Sequence, residues 1–218
     1  MVLRRIVDVG HIIQNAVIFD VKNWSGDTMN SESSLLQAVE RLFSLLEERK
    51  IHYVLVGGIA LLRYVDGRNT QDIDLIMAPS ALRELPEISI SSQDNYFAHG
   101  EFEGLQIDLL LTENPLFNEV QQKYVRFADF LNRKMPLASV EGLLLLKLYA
   151  LPSLYRQGNF VNVGIYENDI AVLMHAYKPD ILKLLGVLSH YLSDNDLEEL
   201  KGIVGEIKQR IKRFEESN

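Results

Sequence analysis

Two neighbouring stretches decide how this chain is read: VLVGG at residues 54–58 and RNTQDIDLI at residues 68–76. The first is a short apolar run that ends in two glycines, which indicates a buried strand followed by a turn and a helix. The second carries Asp72 and Asp74 inside an apolar run. Residues two apart on a strand point to the same face, so these carboxylates project together. They repel each other unless they face water or share a cation, and Mg²⁺ is the simplest candidate.

A third carboxylate follows the same pattern. Residues 106–111 form another apolar run that contains one acid, Asp108. If this strand lies beside the first, three acids and a glycine turn that admits a phosphate chain suit two-metal nucleotidyl transfer. Taken singly, the glycines can be an ordinary turn and the aspartates a solvated strand face. Their order, with thirteen residues between Gly58 and Asp72, favours the functional interpretation.

These motifs resemble the nucleotidyltransferase superfamily of the DNA polymerase β type. Its signature is a hydrophobic residue with Gly-Gly or Gly-Ser, a spacer, Asp-x-Asp between hydrophobic residues, and a later lone Asp. The form that runs from Arg68 through Thr70 to Asp72 and Asp74 looks most like the AbiEii-type and minimal (MNT-like) branches of bacterial toxin–antitoxin and phage-defence systems. The resemblance covers roughly residues 35–175 and implies a nucleotide cleft between a sheet and a set of helices.

The resemblance also implies nucleotide contacts in the second half of the chain. In that family a helical lysine in the form Lys-Leu-x-Ala, with an arginine shortly after it, contacts the phosphates; KLYA beginning at Lys147, and then Arg156, match. The family continues with Lys/Arg-Asp-x-x-Asp, but here Ile165 and Tyr166 replace the first pair. We therefore expect Asp169 only to cap its helix or to orient Arg156.

Several other polar positions have weaker signals. Many relatives carry serine where this chain has Gly58, so only backbone amides can hold a phosphate there. Arg68 and Thr70 could each bind a phosphate or the acceptor; Thr70 could equally serve the turn, and Arg68 could pair with Asp66. The histidines share no ligand spacing and are interpreted as structural: His11, His52, His99, His175 and His190. The glycines lack the Gly-Lys-Ser/Thr that a P-loop requires.

Length and composition limit the remaining classes. The chain has 218 residues, 47% of them hydrophobic, so it can form one sizeable domain or two small ones. It has no cysteine, which excludes disulfides, cysteine-ligated zinc and thiol catalysis and is consistent with the cytoplasm. No signal peptide and no membrane-spanning apolar run is visible. The net charge of −8 argues against a broad nucleic-acid-binding surface.

The order of elements predicts an α+β fold, in which a small mixed sheet flanked by helices is followed by a helical subdomain. The predicted parts are an N-terminal extension (1–30), a nucleotidyltransferase core (31–135) and a C-terminal helical subdomain (136–218). The extension could instead be an extra edge strand. The core opens with a helix, for which Ser34 and Gln37 have the spacing of a capping box.

Further elements are predicted from local signals. Residues 96–101 and 105–111 form a hairpin with its turn at Glu103 and Gly104, while 89–94 reads as a loop and 118–131 as mixed. A helix begins at Ser139 and stops at Pro152. Later helices cover 166–177 and begin at caps on Asp180 and at Ser193-Asp194.

The leading hypothesis is metal-dependent transfer of an NMP from an NTP to a hydroxyl, with Mg²⁺ or Mn²⁺, in a toxin–antitoxin or phage-defence setting. Asp72 and Asp74 would hold the metal on the triphosphate, and Asp108 would hold a second metal and orient or deprotonate the hydroxyl. Gly57 and Gly58 would cradle the β- and γ-phosphates. Lys147 and Arg156, treated above, would neutralise the leaving pyrophosphate.

Two alternatives remain open: a catalytically silent protein of the same fold that serves as a toxin or antitoxin partner, and a regulatory domain that binds phosphate or metal. The acceptor could be a protein hydroxyl, the 3′ end of a tRNA or a small molecule. The resemblance implies toxin–antitoxin contexts, in which both protein and tRNA acceptors occur, and therefore a macromolecular acceptor. Because nucleic acid requires several neutralised phosphates, the acidic balance of the chain favours protein ahead of tRNA. One group of basic residues could serve RNA: Lys123, Arg126, Arg133 and Lys134.

Overall fold

The computed structural model describes residues 28–65, 72–130 and 133–217. Most of the predicted extension (1–30) lies outside the described residues. The chain divides between Ala138 and Ser139 into two compact units, which we call the sheet unit and the helical unit. The finer boundary predicted after residue 135 stays a prediction.

Among the described residues, seven strands form one mixed sheet in the sheet unit. They are β1 (Tyr53–Leu55), β2 (Asp72–Met77), β3 (Ser89–Gln93), β4 (Phe97–Phe102), β5 (Leu105–Leu111), β6 (Val125–Phe130) and β7 (Arg133–Ala138). Their order across the sheet is β3-β4-β5-β2-β1-β7-β6. Because β2 runs antiparallel to β1 and parallel to β5, the sheet is mixed, and the predicted α+β class is confirmed.

The central strands β2 and β5 alternate between buried apolar and polar residues. Ile73 and Leu75 of β2 pair in register with Ile107 and Leu109 of β5, and all four side chains are buried. Successive residues of a strand point to opposite faces. The acidic residues that lie between these apolar ones therefore share the other face of the sheet.

The described part of the sheet unit has four helices. They are α1 (Thr28–Glu48), α2 (Gly57–Leu62), α3 (Pro79–Arg83) and α4 (Pro115–Lys123). One stripe of α1 is buried, at Ala38, Val39, Leu42, Phe43 and Leu46. These residues recur at helical spacing, so their burial holds the helix against the rest of the unit.

The start of α1 differs from the sequence prediction. The helix begins at Thr28, six residues before Ser34. The capping box assigned to Ser34 and Gln37 is therefore wrong, because both residues lie inside the helix. Residues three apart also share a helix face, so the same spacing arises in a helix interior.

Three strands and one helix were missed by the sequence patterns. The segment 89–94, interpreted as a loop, contains β3, and the mixed segment 118–131 contains the end of α4 and all of β6. The third missed strand is β7, which pairs with β6. Strands β3 and β6 lie at the two edges of the sheet. Every residue of β3 is exposed, so it lacks the alternating hydrophobicity by which a half-buried strand is recognised.

The hairpin of β4 and β5 is confirmed at its predicted turn. Glu103 and Gly104 have φ of 50° and 86°, which is the left-handed pair that a two-residue hairpin turn requires. The turn pairs Phe102 directly with Leu105. This pairing sets the register of every residue farther along the two strands.

Four helices make up the described part of the helical unit. They are α5 (Val140–Arg156), α6 (Phe160–Tyr177), α7 (Ile181–Leu188) and α8 (Asp194–Glu216). The predicted caps are confirmed: Asp180 accepts from the Lys183 amide at 3.1 Å, and Ser193 from the Asp196 amide at 3.2 Å. Helix α6 begins six residues before the predicted start at residue 166. None of the helices in the described ranges is both long and apolar enough to cross a membrane.

Helix α5 passes through Pro152, where it was predicted to stop. Proline removes one helical hydrogen bond and crowds the preceding turn, so it ordinarily ends or kinks a helix. Here Pro152 is buried together with Leu148 and Leu151. Burial of this apolar surface favours continuing the helix to Arg156.

Candidate active site

The acidic face of the sheet begins with Asp72 and Asp74 on β2. Both side chains are partly buried, whereas Ile73 and Leu75 are fully buried. The alternation places the two carboxylates on the same face, as the sequence predicted. Two carboxylates on neighbouring positions of one face repel each other, and a cation bound between them lowers this repulsion.

Asp74 packs directly against the start of α2. The Val56 amide donates to the Asp74 carbonyl at 2.9 Å, and the next residue, Gly57, has φ of +62°. A Cβ on Gly57 would lie 1.9 Å from Asp74 Oδ2. Only glycine fits here, because a side chain would strain the backbone and overlap the carboxylate. Gly57 of the glycine turn and Asp74 of the acidic strand, which are seventeen positions apart in the sequence, are therefore in direct contact in the fold.

Asp108 lies beside Asp74 on the neighbouring strand. In the parallel pair of β2 and β5, Asp74 is in register with Asp108, and Asp72 with Gln106. Residues paired in register point to the same face, so all three aspartates share it. The Asp108 side chain is 37% exposed, which leaves it accessible to a ligand.

The structure adds His99, which sequence reasoning interpreted as structural. His99 on β4 pairs directly with Asp108 on β5, and its Nδ1 lies 2.7 Å from Asp108 Oδ1. The signal was present in the sequence. Because the turn pairs Phe102 with Leu105, counting three residues away along each strand brings His99 opposite Asp108.

The strand that carries His99 is fixed from its other side by β3. The pairing of β3 with β4 shifts register at Ser91, and the Ser91 hydroxyl donates to the His99 carbonyl at 3.0 Å. A Cβ on Gly100 would lie 2.8 Å from a β3 carbonyl, so glycine allows this close approach. At the turn, Asp94 accepts from two backbone amides, which lowers the pKa of its carboxyl. Bulges of this kind re-aim side chains near functional sites.

Two predicted site residues, Arg68 and Thr70, lie outside the described residues. Their proposed contacts with phosphate or acceptor stay predictions.

Lys147 lies in the helical unit and is buried there. Its Nζ is 2.8 Å from Asp169 Oδ2 and 4.2 Å from the centre of the Tyr166 ring. Lys147 and Asp169 are only 6% and 3% exposed. An ion pair with so little exposure holds α5 and α6 together, since removing one partner leaves a buried charge. Asp169, expected to cap its helix or to orient Arg156, has Lys147 as its ion-pair partner.

Arg156 ends α5 and pairs elsewhere. Its guanidinium donates to the Asp196 carboxylate, in the first turn of α8. The Arg156 side chain is 57% exposed, so this pair contributes little to stability. The same exposure leaves the guanidinium accessible to an anionic ligand.

Solved structures with similar folds were found. The solution structure of the antibiotic-resistance factor ANT(2″)-Ia matches with a TM-score of 0.50 at 12% identity, over 85% of this chain and 99% of that one. Its crystal structure in complex with adenylyl-2″-tobramycin gives 0.48 at 13%, over 80% and 97%. An antigenic nucleotidyltransferase-like protein from Paracoccidioides brasiliensis gives 0.46 at 18%, over 77% and 92%. The fold of this chain is therefore similar to that of ANT(2″)-Ia.

At these identities the likeness shows the fold alone. No family model and no curated protein matches the sequence. The likeness therefore concerns architecture, and any activity of this chain depends on its own residues.

The acidic face of the sheet offers carboxylate oxygens as ligands for a metal ion. Within the described ranges, no group of three or more His, Asp or Glu side chains is gathered closely enough to hold a metal ion by itself. Asp72, Asp74 and Asp108 share one face of the sheet, and their joint role as metal ligands stays a prediction. The donors nevertheless suit Mg²⁺, which prefers carboxylate oxygens and is usually held by one or two carboxylates together with substrate phosphates.

Proposed function

We propose that this protein transfers an NMP from an NTP to a hydroxyl acceptor in a metal-dependent reaction. The observation that carries the proposal is the position of Asp74, between the glycine turn at Gly57 and Asp108 on the adjacent strand. A triphosphate needs backbone amides and cations, and a hydroxyl nucleophile needs a base. The neighbourhood of Asp74 offers ligands for each of these requirements.

Asp72 and Asp74 would hold the metal that accompanies the triphosphate, and Asp108 would hold a second one. When bound, Mg²⁺ or Mn²⁺ would neutralise phosphate charge and increase the acidity of the acceptor hydroxyl. Asp108 would orient that hydroxyl and take its proton as the new bond to the α-phosphorus forms. The bond from the α-phosphorus to the bridging oxygen breaks, and pyrophosphate leaves.

The glycine turn would bind the phosphates through its backbone. The amides of Gly57 and Gly58 are the proposed donors to the β- and γ-phosphates, and the packing of Gly57 on Asp74 would bring those phosphates close to the metal. Arg68 and Thr70 precede β2 in the chain and are proposed to contact a phosphate or the acceptor.

Lys147 and Arg156 are proposed to neutralise the leaving pyrophosphate. This part of the proposal rests on the sequence resemblance, supported by the charge of both side chains. Lys147 is paired with Asp169 and Arg156 with Asp196, so each cation would share its charge between that acid and the pyrophosphate.

For the acceptor we propose a macromolecule, with a protein hydroxyl ahead of a tRNA end. The net charge of −8 supports this order, because an RNA acceptor requires several neutralised phosphates. The resemblance to AbiEii-type and MNT-like proteins adds a toxin–antitoxin or phage-defence setting, with a cognate toxin or antitoxin as partner.

The test is transfer of label in cell extract. The protein is incubated with each NTP labelled at the α-phosphorus, with Mg²⁺ and extract, and the sample is divided between protease and RNase. We expect label in macromolecules that protease releases and RNase does not. Label released only by RNase identifies an RNA acceptor, and label in small organic molecules, the class that includes aminoglycosides, overturns the macromolecular acceptor.

A further inference from the structure

His99 is a polar side chain at the acidic face to which the proposed reaction assigns no role. It is 55% exposed, and it faces Asp108 across the β4–β5 pair with Nδ1 at 2.7 Å from Oδ1. We propose that His99 is a positioning residue that holds the Asp108 carboxylate in the orientation used for metal binding and proton transfer. This inference rests on the proposed function.

The chemistry of the pair sets the direction of the hydrogen bond. An ionised carboxylate only accepts hydrogen bonds, so the proton between the two groups belongs to Nδ1 of the imidazole. The bond occupies Asp108 Oδ1. The second oxygen, Oδ2, then becomes the one directed to a metal or to the acceptor hydroxyl.

An ordinary pair across two strands stabilises a sheet by about 0.2–1 kcal/mol and needs no special support. The strand that carries His99 has additional support beyond such a pair. The bulge at Ser91 and the close approach at Gly100 fix the backbone of β4 on the side away from Asp108. The strand is thus held at the residue that presents the imidazole, which is an arrangement suited to orienting a ligand.

The consequence for the reaction is specific. Partners that hydrogen-bond to a metal ligand fix its rotamer, and their loss typically lowers metal affinity or activity about 10–100-fold. Without His99, the Asp108 carboxylate can rotate about its χ angles and presents either oxygen. We therefore expect a weaker response to the metal, with little change in NTP affinity, because the triphosphate is assigned to other residues.

The experiment compares three substitutions that differ only in where they place a donor. The amide nitrogen of His99→Asn lies close to the position of Nδ1, that of His99→Gln lies near Nε2, and His99→Leu has no donor. Turnover is measured against Mn²⁺ and against NTP, and thermal unfolding is recorded. His52→Asn is the matched control, since His52 is an exposed histidine of the same unit.

We expect His99→Leu and His99→Gln to need about 10–100-fold more Mn²⁺ for half-maximal turnover. His99→Asn should stay near wild type, and KM for the NTP should change little in all three. If His99→Asn and His99→Gln need the same Mn²⁺ concentration for half-maximal turnover, the positioning role is overturned, even if His99→Leu fails to fold. Wild-type metal dependence in all three also overturns it, and leaves the proposed function standing. A wild-type protein that neither turns over nor binds Mn²⁺ with an NTP overturns the proposed function itself.

Discussion

Asp74 lies between the glycine turn and Asp108, and it is the residue of the acidic face that is next to both. Its carboxylate occupies the space that a side chain on Gly57 would fill, and its strand position is opposite Asp108. Charge at this one position therefore affects both the proposed phosphate site and the proposed base. Replacing Asp74 by asparagine, which has nearly the same shape but no charge, distinguishes the effect of the charge on turnover from the effect of the side chain on packing.

We predict that Asp74→Asn lowers turnover by at least about 100-fold, because a carboxylate ligand of the triphosphate metal is lost. The midpoint of thermal unfolding should stay the same or rise slightly, since one of several mutually repelling charges is removed. Activity assays and thermal melts check both. Asp129→Asn, at an exposed aspartate of β6, is the control. Full activity of Asp74→Asn would falsify the assignment.

Tyr155 carries a second prediction at this scale. Its hydroxyl donates to the Glu167 carboxylate, and this hydrogen bond raises the pKa of Tyr155 from 10.0 to about 12. A raised pKa in the folded state means that the stabilisation is complete below pH 10, and is lost as the pH rises through about 12.

The stability difference between wild type and Tyr155→Phe should therefore be constant at neutral pH and should shrink between pH 10 and about 12. The tyrosinate absorbance of Tyr155 is the difference between the absorbance of wild type and that of Tyr155→Phe, measured in rapid pH jumps before the protein unfolds. This difference should titrate near pH 12 rather than near pH 10. Tyr96→Phe, at an exposed tyrosine of the sheet unit, controls for the loss of one chromophore. Titration of the missing absorbance near pH 10 contradicts the hydrogen bond.

The sequence could identify the acidic residues because they interrupt apolar runs. Asp74 and Asp108 each lie between two hydrophobic residues, Asp72 opens the same apolar run as Asp74, and the glycines precede a helix. It did not identify His99, because no local spacing links His99 to Asp108. Their proximity arises only when the hairpin register is applied to both strands.

At the scale of elements, the junction of β1, α2 and β2 depends on the glycine at its centre. We predict that Gly57→Ala destabilises the protein by more than about 1–2 kcal/mol, the cost of a left-handed backbone for a residue with a side chain. The overlap with Asp74 adds to this cost and displaces the carboxylate, so activity should fall as well.

The matched control for Gly57→Ala is Gly164→Ala. Gly164 lies within α6, and a Cβ there meets no atom within 4 Å. Alanine should therefore stabilise the helix by up to about 1 kcal/mol. Denaturant unfolding of both variants measures the contrast, and equal effects of the two substitutions would show that Gly57 is not specially constrained.

The buried pair of Lys147 and Asp169 gives the second prediction about elements. Lys147→Met should cost about 3–5 kcal/mol, because Asp169 loses its ion-pair partner in a buried site. The double variant Lys147→Met with Asp169→Leu removes both charges and should recover most of that loss.

The same double variant tests the proposed contact with pyrophosphate. If Lys147 neutralises the leaving group, the double variant regains stability but its turnover stays low. Turnover that returns with stability shows that Lys147 serves only to join α5 and α6.

Two of the strands that sequence patterns missed share a physical cause. Strands β3 and β6 lie at edges of the sheet, where few side chains must be buried, so their hydrophobic periodicity is weak. Helix α5 passes Pro152 because burial of its apolar surface outweighs one lost hydrogen bond. The central strands β2 and β5, in contrast, were predictable because their alternation of apolar and polar residues is visible in the sequence. The caps at Asp180 and Ser193 were predictable because these residue types favour the position before a helix.

At the scale of the whole molecule, the claim is that a sheet unit with an acidic face is the centre of nucleotidyl transfer. The fold could be predicted from the order of its motifs, which are separated by spacers of suitable length. The acceptor could not be predicted in this way, because it would be recognised by a surface assembled from distant parts of the chain and not by a local sequence motif. The net charge of −8 limits that surface only in broad terms.

The most direct test of the central claim asks which phosphorus of the NTP is transferred. The protein is incubated with extract, Mg²⁺ and NTP labelled either at the α- or at the γ-phosphorus, with Asp74→Asn and a chelator as controls. The account predicts that α-label enters the acceptor while γ-label is released in pyrophosphate, and that both controls abolish transfer. Relative to extract without the protein, added entry of γ-label into the acceptor with no added entry of α-label would contradict nucleotidyl transfer.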